Sequence, residues 1–315
     1  METIIQPIDT KLIESELTED KFQRKTNNGN KEIYIITHHN SPNIMLEIGR
    51  LRELSFRDAG GGTGKSIDVD EFDSYEVPYQ QLIVWSPEDK EIIGGYRFIN
   101  GKDIRIDAEG QPYCATAELF HFSKNFNNEY LPYTIELGRS WVQPKYQPTY
   151  NIRKGIFSLD NLWDGLGAIT LDYPEMKYFF GKITMYPRFN ITARDMILFF
   201  LKKYFNDNEN LVYPHEPLNI ITDIEELNNT FNSGSYDEDY RILMKNVRRF
   251  NESIPPLVNA YMNLSSTMKT FGTAINHNFG KVEETGILIT IDDIYDIKKH
   301  RHIATYKKPD TSRCQ

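Results

Sequence analysis

Residues 136–142 read ELGRSWV, and this segment combines the features of a strand with those of a catalytic site. It lies inside a predicted strand that spans residues 133–142. Glu136 and Arg139 place charges in apolar surroundings, where each needs a partner. Gly138, between them, is a typical position for a β-bulge that frees backbone N–H groups. The segment therefore predicts a strand that carries chemistry.

Three other segments also place charged residues among apolar ones. They contain Leu51-Arg52 with Phe56-Arg57, the run DEFD from Asp70 to Asp73, and the run GGYRF at residues 94–98. Arg97 lies within a predicted apolar strand, so its burial requires a carboxylate partner. Asp70, Asp73 and Glu136 are the candidates.

The order of predicted elements around these segments is β-α-β-β-β-α-β-α, which indicates an α/β fold. Strands are predicted at residues 32–38, 81–85, 92–99, 133–142 and 178–185. Helices are predicted from Ser41, from about residue 158, and over residues 192–205. Further along the chain, a helix is predicted over residues 255–270 and strands over 273–279 and 286–291.

The domain organisation follows from changes in composition. Residues 1–30 are polar and predict a loosely held arm. Residues 31–297 form the main domain, in which the Asn-, Asp- and Glu-rich stretch 206–253 is an insertion or lid with a helix near residues 237–250. Residues 298–315 are a basic tail, which is typically solvated but leaves peripheral membrane contact open.

Composition excludes several classes of protein. The formal charge of -9 argues against a nucleic-acid binder. Cys114 and Cys314 have no disulfide or zinc spacing, and the seven histidines show no H-x-x-x-H pattern, so no metal site is predicted. No secretion signal or membrane span is indicated, which predicts a cytoplasmic protein, with the inner face of the membrane open as a location.

Residues 59–66 (AGGGTGKS) match the loose Walker A pattern. A phosphate loop needs a buried strand before it and a helix N-terminus after it. Here a predicted helix precedes the loop, and Asp68, Asp70, Glu71 and Asp73 follow it. This context favours a mobile glycine loop that covers an active site over a nucleotide site.

The charged segments together resemble a family signature. The run LR…F, D-x-x-D, G-x-x-R and E-x-x-R is similar to that of acylhomoserine lactone synthases, at Arg52, Phe56, Asp70, Asp73, Arg97, Glu136 and Arg139. Residues 136–146, 162–163, 178–183 and 254–291 further resemble bacterial ornithine or glycine N-acyltransferases of aminolipid synthesis, labelled hemolysin-like. The resemblance covers residues 32–291 and implies a GNAT fold, with a mixed, mostly antiparallel twisted sheet flanked by helices and a helical insertion.

The resemblance also implies the chemistry. An acyl thioester on a phosphopantetheine arm enters a gap between strands, and an amine attacks its carbonyl. Backbone N–H near Gly138 would stabilise the oxyanion, and Glu136 would take the proton. Asp70 and Asp73 would hold the amino group, while Arg52, Arg97 and Arg139 buttress those carboxylates or bind the acceptor carboxylate. No metal is needed.

Structural interpretations stand beside these roles. Each Arg/Asp pair is equally well explained as an ion pair that stabilises the fold. Phe56 and Trp141, included as substrate contacts, are also ordinary packing residues. His277 departs from the acidic residue of the resembled family, so it receives no role.

The donor is predicted to be acyl carrier protein, with no tightly bound cofactor. The Q/R-x-x-G-x-G/A loop that binds the pyrophosphate of CoA is absent, and residues 147–157 offer Arg153, Lys154 and Gly155 instead. This basic edge suits one phosphate and an acidic carrier. The tryptophan that lactone synthases carry between their Phe and first Asp is also missing, which argues against lactone formation.

The leading hypothesis is an N-acyltransferase that loads a long fatty acyl chain onto a small amino acid, glycine or ornithine. Acetyl-CoA-dependent acetylation of a small amine or a protein is the alternative within enzymes, with acyl-CoA as the donor. A non-catalytic module that binds the carrier or a membrane surface is the alternative outside them.

Overall fold

The computed structural model describes residues 1–308. Its strands, in chain order, are β1 (Phe22–Lys25), β2 (Glu32–Ile36), β3 (Gln80–Ser86), β4 (Glu91–Asn100), β5 (Phe120–Phe122), β6 (Thr134–Val142), β7 (Tyr178–Met185), β8 (Val212–Pro214), β9 (Lys269–Asn276) and β10 (Val282–Thr290).

The helices are α1 (Thr10–Glu16), α2 (Pro42–Ala59), α3 (Glu71–Ser74), α4 (Ile152–Gly155), α5 (Ser158–Asp172), α6 (Ile191–Tyr204), α7 (Ile224–Thr230), α8 (Tyr236–Arg249), α9 (Pro256–Met262) and α10 (Asp296–His302). Among these described helices, none is long and apolar enough to cross a membrane.

The chain divides into two compact units. The first contains Met1–Ile104, Pro132–Lys177 and the chain from Ile294, and the second contains Arg105–Leu131 and Tyr178–Asp293. In the first unit the strands pair in the order β1-β2-β3-β4-β6, and every pair is antiparallel. In the second unit β10 pairs antiparallel with both β7 and β9, and β5 pairs with β8. The predicted mostly antiparallel sheet flanked by helices is confirmed.

The long helix α2 carries one face of the first unit. Pro42 occupies its first turn, where a missing N–H costs nothing. The Glu16 carboxylate accepts hydrogen bonds from the N–H groups of Asn43 (3.1 Å) and Ile44 (2.9 Å). The helix ends at Gly60, whose φ of 100° suits glycine. Buried side chains such as Ile48 then fix the helix on the protein core.

Residues 1–30, predicted as a loose arm, contain α1 and β1, and β1 pairs with β2. Polar side chains of this segment hold it in place by bonding to residues far along the chain. Glu16 caps α2, and Arg24 donates to the backbone oxygen of His302 at 3.2 Å. Composition alone does not reveal such distant partners.

Helix α5 packs on β3, on the face of that strand that carries Leu82. A Cβ at Gly165 would lie 2.5 Å from Cδ1 of Leu82, so the glycine allows the helix to approach closely. Helix α10 packs on α5, where Nδ1 of His302 lies 2.8 Å from Asp164. The predicted basic tail therefore begins inside α10, and its last residues, 309–315 with Arg313 and Cys314, lie outside the described residues.

In the second unit, the stretch predicted as an insertion contains α7 and α8, and aromatic side chains join α8 to α6. Phe200 and Tyr236 approach to 5.4 Å between ring centroids. The helix predicted over residues 255–270 is too long. It ends at Met262 because the Asn263 side chain bonds the backbone oxygen of Asn259 at 2.8 Å, and β9 starts at Lys269.

Candidate active site

The site is built on one row of residues across three strands. Gln81 on β3 pairs with Arg97 on β4, which pairs with Gly138 on β6. Residues paired in this way point to the same face of a sheet. The Arg97 side chain crosses Gly138, where a Cβ would lie only 3.3 Å from its Nε. The glycine thus makes room for the arginine.

Arg97 is buried and pairs with two of the three predicted candidates. Its Nη1 lies 2.7 Å from both carboxylate oxygens of Asp70 and 3.3 Å from Oδ1 of Asp73. Burial alone would lower its pKa, but these two carboxylates outweigh that effect and raise the pKa above the usual value. The guanidinium also lies 4.9 Å from the centre of the Tyr79 ring. Arg97 is therefore held as a permanent cation.

Arg52, from α2, reaches the same cluster and is fully buried. Its Nη1 donates to Oδ2 of Asp73 at 3.0 Å, and its Nη2 donates to Oε1 of Gln81 at 2.5 Å. Burial lowers the pKa of Arg52, which Asp73 and Asp68 oppose. Burial would raise the pKa of Asp73, but Arg52 and Arg97 hold it well below its usual range. This ion pair is part of the core.

Asp70 and Asp73 form the capping box of the short helix α3, in which each side chain accepts the backbone N–H of the other. They differ in what they leave exposed. Both oxygens of Asp73 are occupied, by Arg52 and Asp70 on one side and by Gln81 on the other, and its side chain is 0% exposed. The Asp70 side chain is 27% exposed. Of the two, Asp70 is the one that a ligand can reach.

Strand β6 contains the predicted bulge, one residue later than expected. One residue of β4 lies between Gly95 and Arg97, but two residues of β6 lie between their partners Trp141 and Gly138. Arg139 takes up the extra length with a φ of 46°, which is rare for a residue with a side chain. Its Nε lies 2.9 Å from Oδ2 of buried Asp68, which helps to offset this strain.

Asp68 also belongs to the cluster, although the sequence analysis assigns it no role in the site. Its side chain is 1% exposed, and burial raises its pKa against the opposing effect of Arg139 and Arg52. Together, three guanidinium groups face four carboxylates, those of Asp68, Asp70, Asp73 and Glu136. The excess of carboxylates favours a cationic ligand such as an ammonium group.

Glu136 is 2% exposed and accepts a hydrogen bond from the hydroxyl of Tyr79. Tyr79 and Gln81, which border the start of β3, are site residues that the sequence analysis missed. One signal was present, since Gln81 is a polar residue at the start of the apolar run LIVW.

Phe56 and Trp141 are buried packing residues in the structure, 7% and 4% exposed. The indole Nε1 of Trp141 would lie 3.2 Å from a Cβ at Gly95. The packing explanation therefore accounts for Trp141 without a ligand.

The predicted basic edge is partly neutralised. Lys154 forms an ion pair with Asp89 at 2.6 Å, and this pair raises the pKa of Lys154. Arg153 is exposed, and a Cβ at Gly155 would lie 2.4 Å from the backbone nitrogen of Pro148. Close packing against Pro148 thus explains the glycine at 155. Of the three residues predicted to bind the donor, Arg153 is the exposed cation that stays available at the surface.

The glycine-rich loop at residues 60–66 holds a carboxylate of the protein itself. Oε2 of Glu53 accepts from N (3.0 Å) and Oγ1 (2.7 Å) of Thr63, and Oε1 accepts from Gly64 N (2.8 Å) and from Nε of Arg57 (2.6 Å). These bonds lower the pKa of Glu53 even though burial opposes ionisation. A nucleotide phosphate would meet this carboxylate, which supports the rejection of a nucleotide site. The loop is also tied down, where the sequence suggested a mobile one.

We expect Glu53→Gln to lower the free energy of unfolding by about 1–3 kcal/mol, because an amide NH₂ would face donors that now bind a carboxylate. Urea unfolding followed by circular dichroism measures this. Glu14→Gln, in an exposed ion pair with Lys90, is the control and should change stability by less than about 1 kcal/mol. Equal losses in the two variants, or stabilisation of the wild type by ATP, would contradict this account of the loop.

Among residues 1–308, no group of three or more His, Cys, Asp or Glu side chains could hold a metal ion. The site contains a buried carboxylate, Glu136, on the bulged strand β6. It also contains the partly exposed Asp70 carboxylate, which belongs to a cluster with Arg52, Arg97 and Arg139.

The chain is similar to known acyltransferases. A family model described as an acetyltransferase (GNAT) domain matches residues 51–154, which include every predicted site residue except Gly155. The protein is therefore an acyltransferase with a GNAT domain, as predicted.

Two relatives match nearly the whole chain, and both are named glycine N(alpha)-acyltransferase. The protein from Bacteroides thetaiotaomicron is 59% identical over 97% of this chain and 91% of its own. The one from Phocaeicola vulgatus is 56% identical over 98% of this chain and 94% of its own. The chain belongs to the family of these two acyltransferases.

Two solved structures are more distantly similar. FeeM, an N-acyl amino acid synthase from uncultured soil microbes, aligns over 84% of this chain and 92% of its own, with a TM-score of 0.37 and 10% identity. The AHL synthase LasI aligns over 49% and 72%, with a TM-score of 0.32 and 10% identity. At these scores neither structure informs the function.

Proposed function

We propose that this enzyme transfers a long fatty acyl group from acyl carrier protein to the α-amino group of glycine. The observation that carries the proposal is the presence of a partly exposed carboxylate, Asp70, and a buried one, Glu136, on a scaffold of fixed arginines. Glycine is preferred to ornithine as the acceptor because both nearly full-length relatives are named for glycine.

The acceptor ammonium binds at Asp70 in this proposal. Asp73 and Asp68 are buried and paired with Arg52 and Arg139, whereas the Asp70 side chain is 27% exposed. Arg97 and Arg139 hold the Asp70 carboxylate in place, at 2.7 and 3.5 Å. The site thus binds a cation without rearranging its own ion pairs, which is the benefit of preorganisation.

Glu136 then takes a proton from the bound ammonium, directly or through water, and the free amine attacks the thioester carbonyl carbon. The Glu136 carboxylate has one orientation, because it is buried and accepts a hydrogen bond from Tyr79. Backbone N–H groups at the bulge of β6 stabilise the oxyanion, since a bulge turns such groups away from the strand ladder. The C–N bond forms and the C–S bond breaks, the nitrogen passes its second proton to the leaving thiolate, and the proton held by Glu136 is released to solvent.

Acyl carrier protein is the proposed donor because the chain has no pyrophosphate loop for CoA. Arg153 is the exposed cation at the place where such a loop would lie, and it suits the single phosphate of a phosphopantetheine arm. Because Lys154 forms an ion pair with Asp89, we assign Lys154 a smaller part in donor binding than the sequence suggested.

The test is to incubate the purified enzyme with long-chain acyl carrier protein or with the matching acyl-CoA. Each donor is offered with glycine, ornithine and other amino acids, and products are identified by mass spectrometry. We expect N-acylglycine from the carrier donor at a rate well above that from CoA. A higher rate from acetyl-CoA would favour the alternative enzyme, and the absence of N-acyl product across the panel would refute the proposal.

We expect Asp70→Asn to raise KM for glycine roughly 10- to 100-fold, the effect of losing a charge-assisted hydrogen bond. Asparagine caps a helix as well as aspartate does, so α3 should persist. Steady-state kinetics with varied glycine measure the change.

Asp73→Asn is the matched comparison, because it removes the other carboxylate of the same capping box. We expect this variant to lose stability instead, since it leaves Arg52 buried with a weaker partner. An equal rise in KM for glycine in both variants would contradict the assignment of Asp70 as the residue that binds the acceptor ammonium.

A further inference from the structure

We infer that Tyr79 is a positioning residue for catalysis, which sets the orientation of Glu136. The inference rests on the proposed function, in which Glu136 is the base, and assigns a role to a residue that lies outside every motif of the sequence.

Tyr79 is fixed from several sides. Its N–H donates to the backbone oxygen of Phe72 at 2.9 Å, and its backbone oxygen accepts from Nε2 of Gln81 at 3.1 Å. The Phe72 ring packs edge-on against the Tyr79 ring, with 5.9 Å between the centroids. The Arg97 guanidinium also lies over the Tyr79 ring, 4.9 Å from the ring centroid. The phenol therefore has one orientation, aimed at Glu136.

The partner of this phenol is a carboxylate that is equally buried. Both residues are 2% exposed. In such surroundings a hydrogen bond to an ionised group is roughly twice as strong as a neutral one. A donor to the carboxylate favours its charged form. Tyr79 thereby holds the Glu136 carboxylate in one orientation, with its Oε2 bound by the phenol.

The same tyrosine links the base to the acceptor site. Its ring supports Arg97, which in turn holds Asp70 at 2.7 Å. One side chain thus sets the position of both carboxylates that the reaction uses. A purely structural tyrosine would need only the ring contacts, since these fill the space without the hydroxyl.

The test is Tyr79→Phe, which keeps the ring and removes the hydroxyl. We expect kcat to fall roughly tenfold or more, with KM for glycine within about twofold of wild type, because a charge-assisted hydrogen bond is lost at the base alone. The acidic limb of the pH–rate profile should move to higher pH, because the hydroxyl that donates to the reacting carboxylate is gone.

Tyr34→Phe is the matched control. The Tyr34 hydroxyl donates to Oε2 of Glu32 at 2.9 Å on β2 of the same unit, so this variant also removes a phenol-to-carboxylate bond. It should leave kcat and the pH profile unchanged. The position of the limb does not depend on how much protein is folded, so partial unfolding of Tyr79→Phe cannot imitate the effect.

An acidic limb that stays at its wild-type pH in Tyr79→Phe would overturn the inference. If the wild type itself forms no N-acylglycine, the proposed function fails before any variant is made. If the wild type is active and only the limb of Tyr79→Phe fails to move, the function stands and the role of Tyr79 falls.

Discussion

Glu136→Gln is expected to lower kcat by about 10²- to 10⁴-fold, the usual contribution of a general base. Glutamine has the same size and keeps an oxygen that can accept the hydrogen bond from Tyr79, so the fold should persist. Its amide cannot take a proton from the acceptor ammonium. Single-turnover measurements with acyl carrier protein as donor separate this chemical step from product release.

Glu32→Gln serves as its control, because Glu32 accepts a phenol hydrogen bond from Tyr34 in the same sheet. That variant should retain the wild-type rate. A Glu136→Gln enzyme that turns over as fast as wild type would show that proton removal takes place without this residue, and the catalytic assignment would have to be abandoned.

Arg52→Met is expected to give the largest loss of stability, about 3–5 kcal/mol in the free energy of unfolding. The arginine is 0% exposed, and its removal takes one charged donor from the buried Asp73 carboxylate and the Arg52 donor from the Gln81 amide oxygen. Methionine fills similar space but offers no hydrogen bond. Urea unfolding monitored by circular dichroism and by fluorescence gives the difference in stability.

Lys102→Met tests whether burial is the cause. Lys102 pairs with Glu175 at 2.7 Å, and both side chains are 47% exposed. This exposed pair should contribute less than about 1 kcal/mol. Similar losses in Lys102→Met and Arg52→Met would show that Arg52 is not part of a cooperative buried network.

Much of the first unit was predictable because local patterns specify it. The apolar spacing of Ile44, Ile48 and Leu51 predicts α2, and the alternation of apolar runs with a turn predicts the β3–β4 hairpin, as the structure shows. The bulge near Gly138 was predicted as well, but the residue in the left-handed conformation is Arg139. Glycine is needed at 138 because the Arg97 side chain crosses it, and no local sequence pattern predicts this contact.

The pairings within the site were harder to predict, because they join residues far apart in the chain. Charge alone allowed Asp70, Asp73 or Glu136 as partners of Arg97, and only the packing of α3 beside β4 places the two aspartates there. Tyr79 was missed for a similar reason. A tyrosine before a strand is ordinary in sequence, and its importance comes from an oxygen 57 residues away.

The bulge in β6 also matters when related chains are aligned. Side chains alternate along a strand, yet Gly138 and Trp141 face the same way although Trp141 lies three positions after Gly138. Regular pairing over the same length would turn Trp141 to the opposite side of the sheet, away from Gly95, whereas deleting residue 139 or 140 would remove the bulge and leave both side chains on the same side. A gap placed here in an alignment is therefore a claim about whether the bulge is present, and libraries of variants should keep the length of this segment constant.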